Sequence, residues 1–244
     1  MLELLVVIAI IAILMVLVAP AFTNLKRAND MTAAAYTITG MMEQARNLSI
    51  SKNTYVWLGF YEEDVTATNP NTSATPPYPG KGRLVLATVY SNDGTEIISP
   101  TTSGSNPLPA SRITQFGKLT KIDNVHMTDI GSPTPAPSAS PNSLDSRSSM
   151  PYSSPSAALS STNRLSSDST HATRFQFTVQ GYTFWKTIRF TPRGEARLNT
   201  SYDYRRFAEL GLAPTHGNTI DTNDPNVIAI QFSAFDGDFK IFRR

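Results

Sequence analysis

One carboxylate stands at the head of the most apolar stretch of the chain. Glu3 precedes sixteen consecutive apolar residues, Leu4 to Ala19, and Pro20 follows them directly. An ionised carboxylate in apolar surroundings is costly unless an opposite charge neutralises it. This spacing therefore indicates a partner that carries a positive charge. The simpler alternative is that Glu3 lies in the headgroup region of an ordinary membrane anchor, where a charge costs little.

The residue types that usually carry catalysis form no recognisable set. None of the motifs G-x-S-x-G, H-E-x-x-H, the P-loop or G-x-G-x-x-G occurs. His126, His171 and His216 are far apart, and His126 is more typical of a packed or surface residue than of a general base. The absence of cysteine excludes disulfides and thiolate metal sites. We therefore predict no enzymatic activity, no cofactor and no metal site.

Two weaker alternatives rest on charged clusters. Residues 221–224 (Asp-Thr-Asn-Asp) and 236–238 (Asp-Gly-Asp) offer oxygen ligands that suit Ca²⁺, but they match no EF-hand and are ordinary turn residues. Basic residues in the C-terminal third suggest a patch that follows a phosphate backbone. The net charge of only +2 favours a solvated sheet face instead. These basic residues are Arg189, Arg193, Arg197, Arg205, Arg206, Lys240, Arg243 and Arg244.

A single long helix must position Glu3. The stretch from Leu4 to Phe22 approaches the roughly 20 apolar residues that cross a bilayer, so residues 1–22 are predicted to be a transmembrane and polymerisation helix. A cleaved secretory signal fits less well, because no Lys or Arg precedes the apolar run. Pro20 should kink the helix, which continues through residues 23–53 as an amphipathic half. Its apolar stripe comprises Leu25, Ala28, Met31, Ala35, Ile38, Met42, Ala45 and Leu48.

Strand and turn signals fill much of residues 54–244. Runs rich in β-branched and aromatic residues alternate with Gly, Asn and Asp turns, which predicts antiparallel hairpins. A short helix is expected from Asp203 to Leu210. The predicted strands are Thr54 to Tyr61, Arg83 to Tyr90, Phe116 to Ile122, Thr173 to Val179, Tyr182 to Thr191, Val227 to Phe235 and Phe239 to Phe242.

Polar insertions interrupt these strands at about 66–80, 99–111 and 132–169. The last holds 15 Ser and 6 Pro in 38 residues, too little apolar surface to offset the entropy of ordering. We expect all three insertions to be disordered, the last as a surface loop for which a glycosylated, mucin-like segment is the alternative. The fold class predicted is α+β, with a long N-terminal helix packed on an antiparallel β-sheet.

The N-terminal residues resemble those of type IV pilins and pseudopilins. The sequence ELLVVIAIIAIL and the seventeen-residue spacing from Glu3 to Pro20 match the family's acid and its helix-kinking proline. The resemblance implies a pilin-like fold, with Glu3 and Pro20 as assembly residues. Family members carry a short basic leader that a prepilin peptidase removes after a Gly. This chain shows neither leader nor Gly, so we expect translation to begin upstream of Met1.

The globular part is similar to pseudopilin H and FimT-type minor pilins. Residues 188–198 (IRFTPRGEARL) resemble the family hairpin motif, with Phe190, Pro192, Gly194 and Ala196 matching. Residues 229–243 resemble its closing hairpin, and Ala45-Arg46 resembles the end of its helix. Ser49 and Ile50 depart from the usual Ala of that helix end. The resemblance covers about residues 1–61 and 173–243.

Three classes of function remain. The resemblance favours a structural subunit, a minor pilin or pseudopilin, assembled from the bacterial inner membrane into a type IV pilus or a type II secretion pseudopilus. It implies other pilin subunits and the inner membrane as partners and a C-terminal domain in the periplasm or in a filament. The second class is a pilin-like binding module that captures DNA or exported substrate, and the third is an anchored enzyme.

Overall fold

The chain opens with a helix that continues through Pro20. The computed structural model describes residues 2–67, 80–97, 107–131, 140–147, 164–167, 175–198, 207–221 and 224–243, without the side chains of residue 2 and of residues 17–27. Helix α1 spans Leu2–Ser51. It ends where Asn53 adopts a positive φ of 49° and the Thr54 amide donates to the Ser49 carbonyl oxygen at 3.0 Å. The predicted helix end near residue 53 is confirmed.

Twelve strands follow in the described part of the chain, with two short 3₁₀ turns at Ala110–Arg112 and Leu144–Ser146. Their bounds are β1 Val56–Asp64, β2 Gly82–Ser91, β3 Ile113–Thr128, β4 Arg164–Leu165, β5 Phe177–Val179, β6 Tyr182–Phe184, β7 Lys186–Phe190, β8 Ala196–Arg197, β9 Phe207–His216, β10 Thr219–Ile220, β11 Ile228–Ser233 and β12 Phe239–Arg243.

Ten of these strands form one sheet. Its order is β12-β11-β9-β3-β2-β1-β7-β8, with β10 and β4 also paired to β9. All pairings are antiparallel except that of β4 with β9. The β5–β6 hairpin is separate, and it turns at Gln180 and Gly181, both with positive φ. That turn was predicted at this position.

Both faces of the sheet are buried. Because side chains alternate along a strand, Leu58 and Phe60 of β1 point to one face while Trp57 and Tyr61 point to the other. The first face packs with α1 side chains such as Ile38 in one core. The second packs with the β5–β6 hairpin, including Phe177 and Phe184, in another core. The centroids of these two Phe rings lie 4.9 Å apart.

The predicted α+β, pilin-like fold class is wrong. In the described part of the chain antiparallel strands predominate, with twelve strands against one long helix and two short 3₁₀ turns. Strand pairing reaches further than the local patterns indicated. Strands β4, β8, β9 and β10 enter the main sheet, and the β5–β6 hairpin adds a layer on the face away from α1.

The predicted membrane span from Leu4 to Phe22 is also corrected. Among the described residues, none of the helices combines the length and the apolar character needed to cross a bilayer. The predicted location, a single pass through the inner membrane, is therefore not supported by the described residues.

Three local predictions fail for physical reasons. The helix expected from Asp203 to Leu210 is strand β9 from Phe207 onward, because β9 pairs with β3 and β11 and this tertiary pairing overrides local helix preference. The strand expected from Tyr182 to Thr191 is divided between the hairpin and the main sheet at Trp185. The insertion expected to be disordered at 132–169 contains ordered residues: 164–165 form β4, and Leu165 is buried in the core beside α1. The rest of that insertion lies largely outside the described residues.

Candidate assembly site

The first half of α1 presents apolar side chains on every side. Residues 4–16, which we call the apolar segment, are all exposed. The exposed fractions of its large side chains range from 47% at Ile11 to 74% at Val16. No polar stripe runs along it, since each position from Leu4 to Val16 is apolar. At 1.5 Å per residue, the segment is an apolar cylinder about 20 Å long.

Glu3 and Pro20 flank this segment. The Glu3 side chain is exposed in the first turn of the helix, where a negative charge interacts favourably with the helix dipole. Pro20 lies within the continuous helix, and its side chain is among those not described. The kink predicted at Pro20 stays a prediction.

The second half of α1 is fixed to the sheet. Met31, Ala35, Ile38, Met42 and Ala45 have at most 1% of their surface exposed. They share one core with β1, β7 and β11 side chains, so the stripe seen in the sequence is the docked face from Met31 onward. Leu25 lies among the side chains that are not described. This docking holds the second half of α1 against the sheet, and the helix runs without a break from there to the apolar segment.

Arg46 joins the end of the helix to two turns. Its Nη1 lies 3.5 Å from Asp238 Oδ1. A Cβ added to Gly194 would lie 3.2 Å from Arg46 Nε, and one added to Gly237 would lie 3.0 Å from it. The structure thus brings together the helix end, the 192–194 turn and the 236–238 turn, which are the three globular pieces of the resemblance.

The four residues of the predicted hairpin motif have distinct places. Phe190 and Ala196 are buried in the core beside α1 and pair across β7 and β8. Pro192 and Gly194 form the turn between them, where Gly194 has a φ of 84° and its amide donates to the Thr191 carbonyl oxygen at 2.8 Å. These residues therefore shape the surface on which Arg46 lies.

A buried acid–histidine pair was missed by the sequence analysis. His126 Nδ1 lies 2.8 Å from Glu62 Oε1, and both side chains are almost fully buried. The Met127 amide donates to Glu62 Oε2 at 3.2 Å. His126 was predicted to be packed or at the surface, and it is packed. His216 is exposed at the end of β9, and His171 lies outside the described residues.

The neighbouring acid, Glu63, points to the opposite face of the sheet and accepts hydrogen bonds there. Tyr182 Oη donates to Glu63 Oε1 at 2.5 Å and Lys121 Nζ donates to it at 2.9 Å. Burial raises the pKa of Glu63, but the hydrogen bonds from Tyr182, Lys121 and Arg83 outweigh it and hold the pKa below its usual value. Two adjacent acids in a strand must face opposite sides, which is the signal that could have predicted a partner on each face.

A third buried acid, Glu209, binds an arginine of the 132–169 insertion. Arg147 Nη1 donates to Glu209 Oε1 at 2.5 Å, and Gln231 Nε2 donates to Glu209 Oε2 at 3.3 Å. Burial raises the pKa of Glu209, although the charge of Arg147 opposes this. No local pattern indicated this contact, because Arg147 lies in the stretch predicted to be disordered.

The basic residues of the C-terminal third do not share one environment. Arg189 is buried, forms an ion pair with Glu96 and stacks over the rings of Tyr55 and Phe175. Arg197 pairs with Glu195 at 3.1 Å. Arg193 is exposed, Arg243 donates to the Thr32 hydroxyl at 3.2 Å, and Lys240 lies over the Phe242 ring. Arg205, Arg206 and Arg244 lie outside the described residues.

The two acidic stretches considered for Ca²⁺ serve as turns where they are described. Asp224 Oδ1 accepts from the Asn226 amide at 2.8 Å, and Asp238 faces Arg46. Ser233 donates to Asp236 and lowers the pKa of that carboxyl. Within the described ranges, no three His, Asp or Glu side chains converge as metal ligands.

Comparison with known proteins gives no relative: no protein-family model, curated protein or solved structure matches this chain.

Proposed function

We propose that this chain is a structural subunit of a filament, of the type IV pilin and pseudopilin kind. It assembles through the apolar segment with copies of itself or with related subunits. The observation that carries the proposal is the exposure of residues 4–16 in a chain whose other large apolar side chains are mostly buried where they are described. We propose no catalytic role.

The shape of the exposed surface favours several neighbours rather than one. Eleven large apolar side chains between Leu4 and Val16 are exposed. Burying one such side chain contributes about 1.5 to 3 kcal/mol, so the driving force for covering all of them is large. Because they point in every direction, one flat partner would cover only one side. A bundle of parallel helices would cover them all.

Glu3 would make the packing of neighbouring apolar segments specific, because a charge pair can form only at one relative position of two helices. In an apolar bundle its carboxylate needs an opposite charge, and breaking such a buried pair costs about 3 to 5 kcal/mol. The family resemblance supplies the N-terminal amine of a neighbouring subunit as that charge. Glu3 would then set the axial register, while the residues from Leu4 onward supply packing.

The docked half of α1 gives the assembly its geometry. The core around Ile38 and Met42 holds the helix on the sheet, and Arg46 ties its end to the two turns. A rigid junction of this kind would place every sheet at the same radius around a central bundle of helices.

The test compares two exposed acids of the same helix. Glu3→Ala should abolish recovery of the full chain in sheared filament fractions, because the register contact is lost. Glu43→Ala is the matched control, since Glu43 is exposed on the docked half. Leu5→Ala should reduce recovery only slightly. Equal recovery of Glu3→Ala and Glu43→Ala, at equal cellular amounts of protein, would contradict the proposal.

A further inference from the structure

A groove lies at the edge of the sheet formed by β9, β11 and β12, away from the apolar segment. Its volume is about 610 Å³, and it is lined by residues of these strands, by residues of the 234–238 turn and by Ser146. Gln231 alternates with Ile230 and Phe232, which pack against the α1 core, so Gln231 points to the other face. A volume of this order is typical of small-ligand sites.

Aromatic rings form much of the groove wall. Phe207, Phe235 and Phe242 line it. Phe235 is 45% exposed, whereas most large apolar side chains described outside the apolar segment are buried. Tyr36 and Ile50 are the other exposed examples in that described part, and both lie on α1. An exposed ring at the rim of a groove offers a flat surface for stacking.

The charges of the described residues around the groove are balanced. Asp236 and Asp238 are countered by Lys240, which also lines the groove, and by Arg46, 3.5 Å from Asp238. A strongly charged ligand is therefore not favoured. The hydrogen bond from Ser233 keeps the pKa of Asp236 low, which leaves it as an ionised acceptor at neutral pH.

The side chain of Gln231, a polar residue that lines the groove, is held in place by hydrogen bonds to other buried side chains. Gln231 Nε2 donates to Glu209 Oε2 at 3.3 Å, and Arg147 holds the other carboxylate oxygen of Glu209. These three side chains are buried. The amide of Gln231 is thus oriented before any ligand arrives, which reduces the entropy cost of binding.

We propose that this groove binds a neutral carbohydrate, with one sugar ring stacked on Phe235. The C–H face of a sugar is apolar and suits the negative face of an aromatic ring. Its hydroxyl groups both donate and accept, which matches the acceptor Asp236 and the donor Lys240. This inference uses no residue of the apolar segment and is independent of filament assembly.

The experiment is isothermal titration calorimetry on the full chain. The probes are maltohexaose, cellohexaose and chitohexaose, and the detergent that covers the apolar segment must have no sugar head group. At least one hexasaccharide should bind saturably. Phe235→Ala should weaken that binding on the order of tenfold or more. Tyr36→Ala is the matched control, an exposed aromatic outside the groove, and should leave the affinity unchanged.

A second variant and a second probe complete the test. Asp236→Asn retains the size of the side chain but removes the charged acceptor, and it should also weaken binding. The uncharged hexapeptide (Ser-Val)₃ should not bind. Absence of binding to all three hexasaccharides, binding that Phe235→Ala leaves unchanged, or Phe235-dependent binding of the hexapeptide alone would each overturn the inference.

Discussion

The two halves of helix α1 share one backbone conformation and have opposite surroundings. From Leu4 to Val16 the apolar side chains point in all directions and are exposed. From Met31 to Leu48 they form a stripe, and that stripe is buried against the sheet. The arrangement of apolar residues around the helix, more than their number, distinguishes a surface completed within the chain from one that needs other molecules.

The largest expected difference between the halves is in stability. Ile38 is fully buried and Ile8 is 55% exposed. Ile38→Ala should lower the free energy of unfolding by about 2 to 5 kcal/mol, because it leaves a cavity in the core. Ile8→Ala should change it by less than about 0.5 kcal/mol. Urea denaturation of the full chain in detergent measures both. Similar losses for the two variants would show that the apolar segment is packed within its own chain.

Two glycines test the junction where the docked half ends. Gly237 has a φ of 66°, and a Cβ there would lie 2.5 Å from the Gly194 carbonyl oxygen, so Gly237→Ala should destabilise by about 1 to 3 kcal/mol. A Cβ at Gly40, in the middle of α1, meets nothing within 4 Å. Gly40→Ala should therefore stabilise by up to about 1 kcal/mol. Thermal unfolding distinguishes the two signs, and a stabilised Gly237→Ala variant would refute the proposed contact between the two turns.

Lowering the pH should decrease the free energy of unfolding by protonating Glu63, which is remote in sequence from the apolar segment. The folded state holds the pKa of Glu63 below its ordinary value of 4.5. Its contribution is therefore fully present above about pH 4.5 and is lost as the pH falls through the folded pKa. Glu63→Gln should lower the free energy of unfolding by about 1 kcal/mol at pH 7. Below pH 4.5 the stability of this variant should fall less steeply than that of the wild type. Tyr182→Phe should give an intermediate profile. A wild-type profile identical to that of Glu63→Gln would contradict this assignment.

The smallest expected effect concerns the ion pair of Arg46. The side chain of Asp238 is 77% exposed, so Asp238→Asn should cost less than about 0.5 kcal/mol. Arg46→Ala should cost more, since it also removes the aliphatic stem that lies beside Gly194 and Gly237. Chemical denaturation at low and high salt checks this, and an equal loss for both variants would mean that charge alone holds the junction.

Patterns within one segment were predictable, and contacts between segments were not. The helix end, the hairpin turn at Gln180-Gly181 and the stripe from Met31 to Leu48 follow from local periodicity and turn chemistry. Strand β9 was mistaken for a helix because Ala208, Glu209 and Leu210 favour helices locally, while pairing on both of its edges decides the outcome. The α+β class failed for the same reason.

The candidate sites differ in the same way, since one is contiguous in the sequence and the other is built from separate elements. Glu3 and the apolar segment stand out in the sequence because they are contiguous. The groove does not, because Phe207, Gln231 and Phe235 come from separate elements. The Glu62–His126 and Glu209–Arg147 pairs join residues 64 and 62 positions apart, and only the folded sheet brings them together.

Cross-linking between copies tests the central claim most directly. A photoreactive benzophenone amino acid replaces Ile8 in the full chain, and ¹⁴N- and ¹⁵N-labelled copies are mixed during assembly. A matched variant carries the same group at Lys118, which is exposed on the sheet. After irradiation of isolated filaments, mass spectrometry identifies the joined peptides. The account predicts mixed ¹⁴N/¹⁵N adducts from position 8 to residues 3–16 of another copy, and few such adducts from position 118. Adducts from position 8 that stay within one chain, or that join it to no filament subunit, would contradict it.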